Sequence, residues 1–185
     1  MNKNQTNIEK LESALGRLEN KESIIYFLTY DTKNNPRASV KNIYDMALAL
    51  KENGYNAKIL VEDNTYTGVQ NWLTEEYLKL DVVSIKDDKI EIMVDDVIVV
   101  PEHYSNVLPQ LTNVKSVKII LVQQKDYIFE TLSIGSKWSD YGFDKAITTT
   151  EESKKYILEY FPESLVHIIP PFIRENFTPS ENTIK

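Results

Sequence analysis

Cysteine is absent from the 185 residues. That excludes a disulfide framework, a thiolate metal site and a cysteine nucleophile, and it fits a reducing compartment. Glycine is scarce, with five in the chain, and no GxGxxG follows the first apolar run. GxxxxGK[ST], GxSxG and HExxH are missing too. Classical dinucleotide binding and P-loop phosphoryl transfer are therefore not expected. Positive charge is outweighed, leaving a formal net charge of -7. A nucleic-acid partner, which needs a basic face, is not expected, although a local basic pocket for a phosphate stays open. No run reaches the roughly 18–20 apolar residues that cross a bilayer, and the start MNKNQTNIEK has no apolar signal core. The expectation is a soluble, cytoplasmic protein.

What is present alternates. Ile8, Leu11, Leu15 and Leu18 recur at spacings of three and four, giving one amphipathic helix within residues 1–22. Its plainest role is docking on the domain. Self-association or weak membrane-surface contact through residues 8–18 is the alternative, weakened for membranes by the balance of charges. Ile24 to Tyr30 is a continuous apolar run, as a strand buried on both faces requires. Asp31 to Pro36 is loop chemistry. A helix follows from Ala38 or Ser39 through Leu50, stopped by Gly54, and then a strand, Lys58–Glu62.

The alternation repeats. Helices are expected at Gly68–Lys79, Tyr104–Leu111 and Tyr127–Leu132. Short strands are expected at Val82–Ile85 and Ile90–Met93, around an Asp87-Asp88 turn. Further strands are Asp96–Val100, Val117–Val122, Lys145–Thr148 and Leu165–Ile169. Thr149 and Glu152 form a capping box for a helix carrying Tyr156, Ile157, Tyr160 and Phe161. The class is α/β, with a mostly parallel sheet and helices on both faces. Ligands of such sheets sit beyond the carboxyl ends of the strands. That rule selects the loops Tyr30–Arg37, Glu62–Thr67, Pro101–Ser105 and Gln123–Tyr127.

Within those loops Glu102 and His103 are candidates for proton transfer, since imidazole titrates near neutrality; a solvated loop start is the plainer alternative. Gln123, Gln124 and Tyr127 could hydrogen-bond sugar hydroxyls, and Lys125 could meet a phosphate. Their alternative is a polar turn. Tyr30, Asp31, Lys33, Arg37 and Ser39 surround the first loop, where a helix N-terminus with nearby cations suits an anion. His167 lies inside an apolar strand and is read as structural.

Four segments carry a resemblance. They are Asp96–Glu102, Lys118–Gln124, Ala146–Ser153, and Val166–Ile173 with Phe177-Thr178-Pro179. In this order they resemble the N-terminal, Rossmann-like domain of family 4 glycosyltransferases, enzymes of two-domain GT-B architecture; the likeness spans about residues 23–179. The resemblance implies a domain that holds the acceptor, with the nucleotide-sugar on a second domain and retaining transfer in the cleft between, without a bound metal. It divides the chain into a helical extension at 1–22, the Rossmann-like domain at 23–175 and a linker or tail at 176–185. The implied partners are a glycan or glycolipid acceptor and a donor domain or partner subunit, so no cofactor is expected on this chain alone, and the isolated chain is expected to be inactive. One departure is the first loop, Asn34 to Ser39, where many members carry a Gly-Gly pair; without it the backbone approaches donor phosphates less closely. A non-catalytic binding or assembly module, or half of a GT-B type sugar-nucleotide epimerase, is the rival expectation.

Overall fold

A computed structural model describes residues 3–16, 22–32, 35–62, 72–86 and 90–172. The chain forms a Rossmann-like α/β fold around one seven-stranded sheet. Its strands are β1 (Ile24–Leu28), β2 (Asn56–Val61), β3 (Asp81–Ser84), β4 (Val97–Pro101), β5 (Val117–Val122), β6 (Lys145–Thr148) and β7 (Leu165–Ile168). The spatial order is β3-β2-β1-β4-β5-β6-β7, and every pairing is parallel. The order reverses between β1 and β4, which makes their carboxyl ends the topological switch point.

Side chains alternate along each strand between two apolar layers. Ile25, Phe27, Ile59, Val97, Val99, Ile119, Leu121 and Ile147 enter one layer. Tyr26, Leu28, Leu60, Ile98, Val100, Ile120, Val122 and Ala146 enter the other. A parallel sheet needs both, because helices cover both faces. The first layer is closed by α1 (Lys3–Leu15) and α2 (Ala38–Glu52), the second by α3 (Leu108–Leu111) and α4 (Glu151–Tyr160) with the loops around them.

The N-terminal helix is part of the core. Ile8, Leu11 and Leu15 of its apolar stripe are buried in the first layer; Leu18 lies outside the described residues. Asn7 Nδ2 donates to the Pro170 carbonyl at 3.1 Å, and the Tyr55 hydroxyl donates to Glu12 at 2.7 Å. The stripe thus faces the sheet. Among the described residues no helix is long and apolar enough to cross a membrane.

Several elements differ from expectation for local reasons. Ile90–Met93 is not a strand: the Met93 amide is taken by the Asp96 carboxylate at 2.8 Å and its carbonyl by the Asp96 amide at 3.1 Å, which folds the segment into a turn. The helix expected at Tyr104–Leu111 is a 3-10 segment, Glu102–Val107, followed by α3, because Pro109 sits at the start of a new helix and cannot donate within an old one. At Tyr127–Leu132 only a 3-10 turn, Lys125–Tyr127, forms, held by i to i+3 bonds. Of the helix expected at Gly68–Lys79, the described part, 72–79, forms only a 3-10 turn, Glu75–Lys79, since Thr74 is extended. The cap of α4 is Thr150, whose hydroxyl accepts from the Ser153 amide, one residue later than the Thr149 box; Glu152 pairs with Lys125 instead, at 2.6 Å. Residues 63–71, the Asp87-Asp88 turn, Lys33 and the expected linker at 176–185 lie outside the described residues.

Candidate functional site

The carboxyl edge of the sheet gathers most of the residues singled out from the sequence. After β1 come Thr29, Tyr30, Asp31 and Thr32. After β4 come Glu102 and His103, after β5 Gln123 and Gln124, and α2 begins beside them. Its first residue is Ala38 because Arg37 is still extended, with φ -131 and ψ 120. Arg37 provides no side-chain cap and is exposed, as is Asp31.

Two groups of contacts order this edge. The first is aromatic: the ring of His103 stands edge-on to Tyr30, with centroids 5.6 Å apart, and tilted against Tyr104 at 4.9 Å. The second is polar. Gln123 Nε2 donates to the Ser39 carbonyl at 3.0 Å, and its Oε1 accepts from Asn42 Nδ2 at 3.0 Å. Glu102 Oε1 accepts from the Gln124 amide at 2.9 Å. Glu102 therefore reaches toward β5 while His103 packs toward the loop after β1. The neighbouring pair works on two sides of the end of β4. Lys125 is turned to α4, where it meets Glu152 and stands 5.6 Å from the centre of the Tyr156 ring. Tyr127 is exposed on the same turn. His167 is half-buried in β7.

Buried polar atoms without a partner concentrate here. Thr29 Oγ1, Asn42 Oδ1, Glu102 Oε2, His103 Nε2 and Thr148 Oγ1 all lie at the carboxyl ends of β1, β4 and β6 or on α2 against β5; Ser116, Trp138 and His167 hold the others among the described residues. Such an atom costs roughly 1–3 kcal/mol. Natural folds keep few of them, and a cluster along one edge is the pattern of a place that serves a purpose other than stability.

Electrostatics set the protonation states. Burial raises the Glu102 carboxyl above its ordinary value, against the smaller opposing pull of backbone amides, that of Gln124 first. Burial lowers His103, so its imidazole stays neutral and can accept a proton. A neutral imidazole can accept a proton, as a general base must.

The raised carboxyl has a thermodynamic consequence. The folded chain binds the Glu102 proton more tightly than the unfolded chain. Its stabilisation is therefore complete below the ordinary value of 4.5 and is lost as pH rises through the folded value. Glutamine cannot titrate. In urea unfolding, the wild type is expected to lose stability relative to Glu102→Gln as pH climbs from 4.5, leaving the variant at least as stable at neutral pH. A difference that is constant with pH, or that grows in favour of the wild type, contradicts this.

A cavity of about 530 Å³ adjoins the edge, and among the described residues its lining includes Ser39, Asn42 and Asp45 of α2, Gln123 and Gln124, and Trp72, Tyr77 and Phe172. Of these, only Ser39, Gln123 and Gln124 were legible as site residues. Asn42 and Asp45 did carry a signal, since both are polar residues within α2, whose positions 42–50 are all buried. Trp72, Tyr77 and Phe172 carried none, because apolar side chains at a cavity wall look like core. Compared with known protein families, with curated proteins and with solved structures, the chain gives no match in any of the three.

Proposed function

We propose that the chain is the acceptor-binding domain of a retaining, nucleotide-sugar-dependent glycosyltransferase of GT-B architecture, with donor binding on a second domain. The observation that carries the reading is the hydrogen bond from the Gln124 amide to Glu102. It joins the ends of the two segments that resemble family 4 glycosyltransferases, next to the switch point where an open parallel sheet takes its ligand. The unpaired Glu102 Oε2 and His103 Nε2 beside it suit a hydroxyl-rich acceptor, whose groups both donate and accept. In this reading His103 takes the proton of the attacking hydroxyl, Glu102 positions the acceptor, and Tyr30 flanks it.

A panel of oligosaccharides, titrated calorimetrically, tests this. An oligosaccharide is expected to bind, and His103→Ala to weaken it tenfold or more, about 1.4 kcal/mol, while the melting temperature of the free chain changes little. A chain that binds sugar nucleotides and no oligosaccharide, or whose oligosaccharide affinity ignores His103, overturns the proposal.

A further inference from the structure

The turn after β5 and the helix α4 bring three aromatic rings together at the surface. Phe129 stacks on buried Phe161 at 5.9 Å and meets Tyr160 edge-on at 5.1 Å, and Tyr160 is tilted against Tyr156 at 4.9 Å. Phe129 keeps 44% of its surface exposed and Tyr160 46%, while Tyr156 is half-buried. Phe161 thus anchors the row to the core, and much of the row still faces solvent. Contiguous exposed aromatic surface marks an interaction site, whereas a single exposed ring needs no explanation.

The row already holds one cation. Lys125 Nζ stands 5.6 Å from the centre of the Tyr156 ring and 2.6 Å from Glu152, an ammonium over a ring with a carboxylate beside it. The next two rings have the same elements without the cation. Glu159 precedes Tyr160 and Glu130 follows Phe129 in the chain, all four residues exposed. Neither carboxylate forms an ion pair among the described residues.

Charge selects the partner. Over residues 125–130 and α4 the acids are Asp126, Glu130, Glu151, Glu152 and Glu159, and the bases are Lys125, Lys154 and Lys155. Lys125 is taken by Glu152. Lys155 lies one helical turn from both Glu151 and Glu159. Lys154 is half-buried, within electrostatic reach of His167 on β7. The surface is therefore aromatic and acidic, on a chain whose net charge is -7. A second copy docked about a two-fold axis would set these acids against themselves. Anionic lipid and nucleic acid are repelled in the same way. A cationic polypeptide satisfies both features, since a guanidinium stacks on an aromatic face and pairs with a carboxylate at once.

We propose that the Phe129–Tyr160–Tyr156 surface docks an arginine-bearing segment of a partner protein, its guanidinium groups laid on Tyr160 and Phe129 and paired with Glu159 and Glu130. The proposal does not depend on glycosyl transfer.

A short peptide of alternating arginine and proline, which stays extended, is the probe, and its glutamate–proline counterpart is the control. Ring resonances of Phe129 and Tyr160 report occupancy by NMR on the full chain. Saturable shifts are expected with the arginine peptide, weakening as salt rises, and none with the control. Tyr160→Ala, read at Phe129, is expected to lower the affinity tenfold or more. The double variant Glu130→Lys with Glu159→Lys should do the same while changing only exposed positions. No saturable shift with the arginine peptide, an equal response to both peptides, or an affinity that survives both variants overturns the proposal. So do shifts of these rings with phosphatidylserine vesicles, which point to a membrane, or with protein concentration alone, which point to self-association. Oligosaccharide binding at Tyr30 and His103 is read from other resonances, so the transferase reading and this one can fail separately.

Discussion

Trp138→Ala is expected to destabilise the chain by roughly 3–5 kcal/mol, the range for removing a buried large aromatic. Trp138 is 1% exposed and lies stacked on Phe161, with ring centroids 4.0 Å apart and planes 9° from parallel. Phe161 in turn stacks on Phe129 at 5.9 Å. The stack joins the loop between β5 and β6 to the end of α4, a region with little regular structure to hold it otherwise. The backbone is set by Gly142, which takes the left-handed conformation at φ 79 after the turn Trp138–Tyr141. Against a total stability of about 5–15 kcal/mol, the loss is large, and it should lower the melting temperature by roughly 6–20 °C at about 2–4 °C per kcal/mol. Circular dichroism is the right probe, because the variant leaves Trp72 as the sole tryptophan of the two. Trp138→Phe should cost much less, since it keeps a stacking ring and removes an indole N–H that has no partner. A loss below about 1 kcal/mol for the alanine variant would mean that the stack contributes little.

The sheet was legible because its central strands are buried on both faces. Val97–Val100 and Ile119–Val122 are fully buried, and nothing but a run of Val, Ile and Leu satisfies such an environment in a parallel sheet. The same signal misled at Ile90–Met93. That segment has strand composition, and Ile90 and Ile92 do pack on the second layer, but one carboxylate three residues on takes the amide that a ladder would need. Side-chain capture of a backbone group is invisible to periodicity. The cap of α4 moved by one residue for a related reason: two adjacent threonines, Thr149 and Thr150, offer the same hydroxyl, and the geometry of the entering chain selects the second.

The candidate site divides along similar lines. Glu102 and Gln123 could be located because both follow apolar runs at strand ends, where sheet topology places ligands. Asp45 could not, because what makes it part of the cavity is a phenol 32 residues away, Tyr77, and an ion pair with Lys41. The expected anion site at the start of α2 rested on Lys33, Arg37 and Ser39; the structure leaves Arg37 exposed, and Lys33 lies outside the described residues. Fold alone says little about chemistry, so the transferase reading depends on the edge residues and stands or falls with their variants.

Asp96→Ala is expected to be as damaging as the loss of Trp138, although it removes only a few atoms. Asp96 is 3% exposed and sits opposite the candidate site, at the amino edge of the sheet. Its Oδ1 accepts from the Ile24 amide at 2.7 Å, at the first residue of β1, and its Oδ2 from the Met93 amide at 2.8 Å. Its own carbonyl accepts from the Val117 amide at 2.9 Å, at the first residue of β5. One residue therefore fixes the starts of β1 and β5 on either side of β4 and closes the turn that leads into it. Hydrogen bonds to a charged group contribute about 1.5–3 kcal/mol each, and alanine leaves two amides without this acceptor, so a loss of roughly 3–5 kcal/mol follows. Asp96→Asn separates the charge from the geometry: its one carbonyl oxygen can keep a single amide, while its NH₂ faces the other donor, and the loss should be intermediate. Urea unfolding curves for the three proteins check the order, wild type above Asn above Ala. An alanine variant within about 1 kcal/mol of wild type would show that β1 is held by its ladders to β2 and β4 alone, and the acid at the start of β4 would then have no structural role to explain it.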